Sequence, residues 1–343
     1  MNHQATQSFP QSLSERLRRE ARKIAPVWVL LCLGSLRRFR SRANKRIARI
    51  PGVHGIWLAL FRLRFALGPP RTINEKILYR MVHDRRELLR TTTDKLGMRD
   101  YVEDHVGSKY LTNVYATYEG ADDIKLDELP RSYAMKATHA SGATLLVDEH
   151  AAIDAQIPAW SRGRPYPFLA RVHPDRVNLA ELRQLAAAWL QNPYGRTTIR
   201  PQWAYEGLTP RIIFEELLDD GRGNAPPDYK FLCFNGEPTL IQVFTERERE
   251  VKRVMYTPSW QRIYELRSVS VPSIEAPEAL PEMLSLSRSL ASDFDFVRVD
   301  LYSCDNRVLV GELTHYPNGG NLSGGGRGPM TLAASGWLPS TVA

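Results

Sequence analysis

The stretch Phe296–Thr314, FVRVDLYSCDNRVLVGELT, decides the fold class and the search for a functional site. Two apolar runs rich in β-branched residues flank an Asp-Asn pair, which is typical of a β-hairpin. Within these strands stand Arg298, Asp300 and Glu312. Acidic residues seldom lie inside buried strands unless they are paired or bind a metal. The pattern therefore predicts a carboxylate pair for a hard cation such as Mg²⁺, with an arginine beside it for phosphate, which is the chemistry of a nucleoside triphosphate site.

The pairing register of this hairpin decides whether the two carboxylates can meet. A three-residue loop, Asp305 to Arg307, would place Asp300 directly opposite Glu312. A strict two-residue Asp-Asn turn would place them on opposite faces, because a slip of one residue inverts the pattern. The carboxylate pair therefore requires an odd-length loop or a β-bulge. The alternative is an ordinary hairpin with one solvent-facing side.

Composition indicates a soluble globular protein with room for two or three subdomains, since the chain has 343 residues, 43% of them hydrophobic and 24% charged. Three cysteines and eight histidines are scattered without metal-ligand spacing, which argues against a disulfide framework and a zinc site and fits a reducing compartment. The net charge of +8 is unevenly distributed. Residues 1–64 hold 14 Lys/Arg and two Asp/Glu residues, a net +12, and the remainder carries a net −4. The excess basicity therefore describes the partner of the N-terminal segment alone.

The N-terminal segment, residues 1–67, mixes arginine clusters with two apolar runs, Ala25–Leu36 and Val53–Leu67. The first run is shorter than the ~20 residues that span a bilayer. Trp28 and Trp57 suit a lipid headgroup layer, so basic amphipathic helices on the inner face of the cytoplasmic membrane are predicted. A cleaved signal peptide is not expected, because no small-x-small site follows the apolar run. Two alternatives stay open: ordinary helices packed on the core, or a basic arm for nucleic acid, although no nucleic-acid-binding signature accompanies it.

Helices elsewhere are predicted from their capping signals: from Thr72 or Asn74 through Met81, from Asp94 through His105, and over Leu179–Leu190 and Ala279–Ser292. Besides the hairpin, strands are predicted over Lys109–Tyr118, Ser132–Lys136, Thr144–Asp148, Arg211–Leu218, Asp228–Asn235 and Glu237–Thr245. Residues 155–178 are expected to form a long loop, and the glycine-rich last 25 residues to be poorly ordered without a ligand. Helices alternate with groups of antiparallel strands, so the predicted class is α+β.

Five segments together resemble one protein family in their order and spacing: TTTDKLGMRDYV (91–102), SYAMKATHASGATLLV (132–147), PRIIFEELL (210–218), DYKFLCFNGEPTLIQV (228–243) and FVRVDLYSCDNRVLVGELTHYP (296–317). They resemble the TupA-like ATP-grasp proteins, a family named for a gene of teichuronopeptide synthesis and often found in bacterial surface-polysaccharide clusters. The resemblance runs from about Thr72 to Pro317. It implies an ATP-grasp fold with two α+β lobes enclosing Mg-ATP over 68–317, after the basic segment 1–67 and before a Gly-rich tail, 318–343.

The resemblance also implies residues for the phosphate end of ATP. Lys95 corresponds to the first nucleotide-contacting lysine. Lys136 corresponds to the lysine that contacts the ATP phosphates, and it would also be a catalytic residue. The loop with Thr138, Ser141 and Gly142 corresponds to a flap over the β- and γ-phosphates, where small residues let backbone N–H groups approach closely. From base rates alone, Lys136 is a surface lysine and the loop a plain hairpin turn.

The remaining roles implied by the resemblance lie along the hinge and the hairpin. Glu215 and Glu216 would meet adenine and ribose, with backbone groups of Leu217 and Leu218 at the adenine edge. Lys230 would point into the same cleft. Asp300 and Glu312 would bind Mg²⁺, and Arg298 would act catalytically on the transferred phosphate. Without the resemblance, the two adjacent glutamates could simply alternate at a sheet edge.

Two further questions remain open. Many ATP-grasp enzymes have asparagine as a further metal ligand where this chain has Thr314, and Asn318 or Asn321 could substitute. His139 and His315 could serve as general bases or have ordinary structural roles.

The expected function is an ATP-dependent carboxylate–amine ligase, working through an acyl phosphate, in bacterial surface-polysaccharide synthesis. Its expected cofactors are ATP and Mg²⁺, and its acceptor a sugar acid or amino acid, including a unit of a lipid-linked glycan. The expected location is cytoplasmic, peripheral to the inner face of the membrane, with no nucleic-acid partner. The alternatives are a glycosyltransferase-type protein of the same pathway and a non-catalytic ATP-binding scaffold.

Overall fold

The structure, a computed structural model, describes residues 53–66, 68–157, 168–192, 194, 202–220, 223–245, 252–263, 272–322 and 329–339. In these ranges the helices are α1 (Val53–Ala66), α2 (Ile73–His83), α3 (Glu87–Thr91), α4 (Lys95–Val106), α5 (Leu179–Leu190), α6 (Leu280–Ala291) and α7 (Pro329–Ala333). The strands are β1 (Val114–Tyr118), β2 (Tyr133–Ala137), β3 (Ala143–Val147), β4 (Phe168–Val172), β5 (Ile212–Glu215), β6 (Asp228–Phe234), β7 (Glu237–Thr245), β8 (Lys252–Tyr256), β9 (Arg262–Ile263), β10 (Phe296–Cys304) and β11 (Arg307–Thr314).

Side-chain caps set the starts of the helices that lead into the sheets. Thr72 caps α2 in a capping box: its hydroxyl accepts from the Glu75 N–H at 3.2 Å, and the Glu75 carboxylate accepts from the Thr72 N–H at 3.2 Å. Asp94 caps α4 by accepting from two backbone N–H groups at 3.0 and 3.2 Å. Both predicted helix starts are therefore confirmed.

The first lobe is a five-stranded sheet in the order β1-β5-β2-β3-β4. Helix α5 buries Leu182, Leu185 and Trp189 in the hydrophobic core of this sheet. Two expectations need correction. The loop predicted over 155–178 contains strand β4, which pairs in parallel with β3, and residues 158–167 lie outside the described ranges. The strand predicted over 109–118 begins only at Val114, after a 3₁₀ turn at Ser108–Tyr110.

The second lobe is a six-stranded antiparallel sheet in the order β11-β10-β6-β7-β8-β9. One face packs against α6 in the main hydrophobic core. Strand β6 is buried along its whole length, so both of its faces are covered. The chain passes from the first sheet to the second between β5 and β6.

The hairpin β10–β11 keeps its carboxylates in phase by a bulge. Asp305 and Asn306 have φ values of 51° and 57° and form a two-residue turn, so the odd-length loop is not the alternative that the hairpin adopts. The register shifts between Asp300 and Leu301, where Gly311 is the extra residue of β11. Asp300 consequently pairs directly with Glu312, as the bulge alternative requires.

The C-terminal tail packs into the second lobe. Met330 and Trp337 are fully buried, and the Trp337 ring stacks on Phe296 with centroids 4.8 Å apart. The Lys76 ammonium of α2 donates to the carbonyl oxygens of Ala334 at 2.6 Å and Trp337 at 2.5 Å. The expectation of poor order is therefore wrong for residues 329–339; residues 323–328 lie outside the described ranges.

Helix α1 lies on the protein. Phe61 and Phe65 pack against the main core, Phe65 meets the Tyr79 ring edge-on at 5.0 Å, and Arg64 forms an ion pair with Glu75 at 2.7 Å. For this helix the structure favours core packing over a membrane-facing apolar surface. The first apolar run, Trp28 and the Trp57 side chain lie outside what is described. Among the residues that the structure describes, no helix combines the length and apolarity that a bilayer crossing requires.

Candidate active site

Three neighbouring strands of the second lobe bring opposite charges onto one face. Lys230 on β6 pairs directly with Asp300 on β10, which pairs in turn with Glu312 on β11. Directly paired residues of antiparallel strands project from the same face of the sheet. The structure therefore brings together the predicted carboxylate pair and two of the predicted cations, Lys230 and Arg298.

Asp300 is the centre of this charge cluster. It is 2% exposed, and its two carboxylate oxygens accept from Arg298 Nε at 2.6 Å and Nη2 at 2.7 Å. The Lys230 ammonium donates to the Asp300 Oδ2 atom as well. Burial alone would raise the pKa of Asp300, but Arg298 and Lys230 outweigh burial and hold this pKa below its ordinary value. Asp300 is therefore ionised and balanced by two cations.

Glu312 lies at the more open end of the cluster. Its side chain is 30% exposed, and its carboxylate is 3.9 Å from Arg298 Nη2, which is longer than a hydrogen bond. Arg298 Nη2 donates instead to the Thr314 hydroxyl at 3.0 Å. The Thr314 hydroxyl is thus already engaged by Arg298. Asn318 and Asn321 are exposed in the turn that follows β11.

The donor set fits a magnesium ion that is shared with phosphate. Mg²⁺ takes one or two carboxylates and completes its shell with water and phosphate oxygens. Asp300 and Glu312 supply two facing carboxylates, and the Lys230 ammonium already stands as a cation on Asp300. In the described ranges no group of three or more His, Cys, Asp or Glu residues could hold a metal, so an all-protein cage is not formed there.

The first lobe contributes an ion pair, Lys136 with Glu215, on adjacent strands β2 and β5. Glu215 is 7% exposed and also accepts from the Thr112 hydroxyl at 2.9 Å. Burial would raise the pKa of Glu215, but Lys136 and its hydrogen bond outweigh burial and lower the pKa overall. The Lys136 ammonium is therefore held in an ion pair, and the Glu215 carboxylate already has partners within the protein.

Lys95 connects the two lobes electrostatically. Burial lowers its pKa, while the Glu312 carboxylate of the second lobe acts to raise it and Lys136 of the first lobe acts to lower it further. The Lys95 ammonium donates to the Ala140 carbonyl at 2.7 Å, inside the predicted flap. Lys95 therefore lies near charged groups of both sheets.

The predicted flap is the 138–142 loop between β2 and β3. Gly142 has a φ of 74°, a left-handed conformation that favours glycine. The Thr138 hydroxyl is buried and has no hydrogen-bond partner among the described residues. Ser141 hydrogen-bonds to the Tyr194 side chain. The loop thus holds a buried polar group close to Lys95, whose backbone N–H donates to the Thr138 carbonyl at 3.2 Å.

Glu216 and Leu218 occupy the connection between the lobes. β5 ends at Glu215, so the strand predicted through Leu218 is too long by three residues. Glu216 accepts from the Asn113 N–H and side-chain amide, both at 3.1 Å, and pairs with Arg307 of the hairpin. Leu218 is half-buried in the segment that follows β5. Contacts of these residues with adenine or ribose stay a prediction.

Both candidate histidines have structural roles. His139 donates from Nε2 to the Trp189 carbonyl at 3.1 Å and is 3% exposed. His315 is 2% exposed, and its Nε2–H donates to the Thr92 hydroxyl at 2.7 Å, because that hydroxyl itself donates to the Leu88 carbonyl. Burial lowers the pKa of both imidazoles, that of His315 well below its ordinary value. A general-base role is therefore not favoured for either.

Sequence reasoning missed three residues of the site. Asp228, fully buried at the start of β6, pairs with Lys230 at 2.7 Å. Tyr194 and Tyr205 have rings 4.8 Å apart, and burial followed by the Glu312 charge raises the pKa of Tyr205. Asp228 could have been found from the sequence, because it is an acidic residue in a strand that is otherwise apolar enough to be buried. The tyrosines come from a region between α5 and β5 that shows no periodic pattern.

The chain belongs to the TupA-like ATP-grasp family, since the TupA-like ATPgrasp family model matches residues 75–324. The two sheets are accordingly the two lobes of an ATP-grasp fold, as predicted. A comparison with curated proteins gave no match.

Solved structures resemble the chain at low identity. A D-alanine–D-alanine ligase from Bacillus anthracis is 13% identical, with 65% of this chain and 56% of that chain covered and a TM-score of 0.35. The ATP-grasp ligase PsnB, complexed with a minimal precursor, is 10% identical, with 82% and 67% covered and a TM-score of 0.41. A phosphoribosylamine–glycine ligase from Thermotoga maritima is 11% identical, with 68% and 49% covered and a TM-score of 0.37. The chain thus spans little more than half the length of the first of these ligases.

Proposed function

We propose that this protein is an ATP-dependent carboxylate–amine ligase of bacterial surface-polysaccharide synthesis. The observation that carries the proposal is the charge arrangement of the cleft. A carboxylate pair, Asp300 with Glu312, lies on one lobe beside Lys230 and Arg298. The Lys95 ammonium lies near enough to Glu312 of this lobe and to Lys136 of the other to be affected by both charges. Phosphoryl transfer needs chiefly positioning and charge neutralisation, which such a cleft supplies.

The residues divide the work according to their positions. Lys136 binds the nucleotide phosphates from the first lobe and Lys95 from the start of α4, and the 138–142 loop covers the phosphates with backbone N–H groups. Arg298 stabilises the phosphoryl group in transfer, since a guanidinium suits planar, bidentate contact with phosphate oxygens. Asp300 and Glu312 hold Mg²⁺, which neutralises phosphate charge when bound. The adenosine end lies along the connection that contains Glu216 and Leu218.

The proposed reaction has two steps. A carboxylate oxygen of the substrate attacks the γ-phosphorus of ATP, the bond from that phosphorus to the β,γ-bridging oxygen breaks, and ADP leaves with the bonding electron pair. The amine nitrogen then attacks the acyl carbon, the acyl carbon–oxygen bond breaks, and inorganic phosphate leaves. The nitrogen releases its proton to solvent, and an amide results.

The substrate class and location rest on the family and on charge. The family's association with surface polysaccharides favours a sugar acid or an amino acid as acceptor, including one on a lipid-linked glycan. The net +12 of residues 1–64 favours contact with an anionic membrane surface on the cytoplasmic side. Because α1 is committed to the core through Phe61 and Phe65, this contact falls to the residues that precede α1.

One observation favours a second candidate, a non-catalytic ATP-binding scaffold. Thr314 stands where many ATP-grasp enzymes have a metal-ligating asparagine, and Arg298 engages its hydroxyl. A scaffold of this kind would bind Mg-ATP without turnover.

Calorimetry of Mg-ATP binding to the full chain tests the site. We compare wild type with Asp300→Ala/Glu312→Ala and with a matched control, Glu149→Ala/Asp175→Ala, whose carboxylates are 54% and 55% exposed. Magnesium-dependent binding that only the first variant loses is the expected result, and binding that this variant retains would contradict the site. ADP release that requires both a carboxylate and an amine then supports the ligase. Mg-ATP binding without turnover supports the scaffold, and binding of UDP-sugars in place of ATP supports the glycosyltransferase alternative.

A further inference from the structure

Asp228 is a buried carboxylate to which the proposed reaction gives no role. It is fully buried, and it lies two residues from Lys230 on β6, so both side chains project from the same face of the sheet. Its Oδ2 atom is 2.7 Å from the Lys230 ammonium. Lys230, itself 8% exposed, thus stands between two carboxylates, Asp228 and Asp300.

Without a nucleotide, this chain of charges opposes the binding of a metal ion at Asp300. Arg298 donates one hydrogen bond to each carboxylate oxygen of Asp300, and the Lys230 ammonium is a second cation at Oδ2. A free divalent cation would meet two positive charges at that carboxylate, and like charges at such distances repel strongly in a buried site. The cluster therefore opposes a metal ion that arrives alone.

A polyphosphate changes this balance, because it offers Lys230 and Arg298 other oxygens. Asp228 offers the Lys230 ammonium a carboxylate that does not depend on the nucleotide. The Lys230 ammonium already contacts both carboxylates, so it needs only a small displacement to pair with Asp228 alone. The ammonium would therefore stay paired inside the protein while Asp300 turns to the metal, and leaving it unpaired would be costly.

We propose that Lys230 is an exchangeable counter-ion of Asp300, retained by Asp228 when Asp300 binds a divalent cation, so that this cation binds only together with a nucleotide. Asp228 is then a positioning residue, acting through Lys230. The inference rests on the proposed function for the metal pair, Asp300 with Glu312. It assigns to Lys230 and Asp228 the reason why the cation does not bind Asp300 without a nucleotide.

Electron paramagnetic resonance of Mn²⁺, with and without the non-hydrolysable ATP analogue AMP-PNP, tests this proposal on the full chain. The key variant is Asp228→Asn/Lys230→Met, which removes one negative and one positive charge together. Replacing a buried ion pair as a pair is often neutral for stability, and a thermal melt verifies the fold. The matched control is Lys125→Met/Glu128→Gln, an exposed pair at 3.0 Å.

Wild type and control are expected to bind Mn²⁺ weakly in the absence of AMP-PNP and at least ~10-fold more tightly in its presence. Without AMP-PNP, the double variant is expected to bind Mn²⁺ at least ~10-fold more tightly than wild type does. Asp228→Asn by itself is expected to shift in the opposite direction, weakening Mn²⁺ binding in the presence of AMP-PNP. Equal affinity of wild type and double variant for Mn²⁺ alone would overturn the proposal, as would a single variant that behaves like wild type.

Failure of the proposed function would look different. Wild type would then bind no AMP-PNP, with or without Mn²⁺. The comparison of Mn²⁺ alone in wild type and the double variant would still decide whether Lys230 guards Asp300. If the double variant does not fold, Lys230→Arg is the second test, because it keeps the positive charge. This variant is expected to bind Mn²⁺ alone as weakly as wild type does. Tighter binding of Mn²⁺ alone would contradict the proposal.

Discussion

The two carboxylates of the hairpin should behave alike in ligand binding and differently in stability. Asp300 is 2% exposed and balances two cations, so Asp300→Asn leaves Arg298 and Lys230 with one buried positive charge in excess. Removing one partner of a buried ion pair costs about 3–5 kcal/mol of the free energy of unfolding. Glu312 is 30% exposed and stands 3.9 Å from Arg298, so Glu312→Gln should change that free energy by less than about 1 kcal/mol.

Urea denaturation followed by far-UV circular dichroism measures both free energies of unfolding, and calorimetry measures Mg-ATP binding by the folded variants. Both substitutions are expected to abolish magnesium-dependent binding, since each removes one of two metal ligands. Glu149→Gln, on an exposed ion pair, serves as the control and should alter neither quantity. Equal loss of stability in Asp300→Asn and Glu312→Gln would refute the reasoning from burial. Unchanged stability in Asp300→Asn would show that the buried cluster is not formed.

Three further predictions concern the core, pH and the hairpin. Trp337→Ala should lower the free energy of unfolding by about 3–5 kcal/mol, because a fully buried indole is lost, whereas the adjacent Leu338→Ala, at an 81% exposed position, should stay within about 0.5 kcal/mol in the same urea assay. Burial keeps the pKa of His315 well below its ordinary value, so below about pH 6.5 the unfolded chain binds a proton that the native state does not, and stability falls as pH decreases. His315→Gln should flatten this decline between pH 7 and 5, and a substitution of the 62% exposed His150 should not. Thr314→Val removes a hydroxyl that accepts a hydrogen bond from a buried guanidinium and should cost about 1–3 kcal/mol in urea denaturation; no loss would mean that this bond contributes nothing.

The helices and most strands follow from local sequence signals. Helix α5 begins and ends at the predicted residues, and α2 and α4 begin after Thr72 and Asp94, because capping side chains act within one helical turn. Strand β4 was not predicted, since a five-residue strand at a sheet edge carries little periodicity of its own. Its existence depends on pairing with β3.

The C-terminal tail shows the limit of composition. Its glycines predicted poor order, yet Trp337 fills a place between Phe234 and Phe296, with centroids 5.7 and 4.8 Å away. Glycine content describes the conformational freedom of the chain, but one buried indole can outweigh that freedom through the area it removes from water. Phe234 and Phe296, which form that aromatic site, lie far from the tail in the sequence.

The amino-acid sequence by itself determined the α+β class, the family, the carboxylate pair and the cations that accompany it, because residue types and their spacing fix which chemistry is available. Only the tertiary structure decided how these groups are paired: that a bulge at Gly311 aligns Asp300 with Glu312, that Lys136 is bound by Glu215, and that Lys230 lies between Asp228 and Asp300. The physical reason is that strand register and ion pairing depend on residues far apart in the chain, whose distance is set only when the sheets assemble.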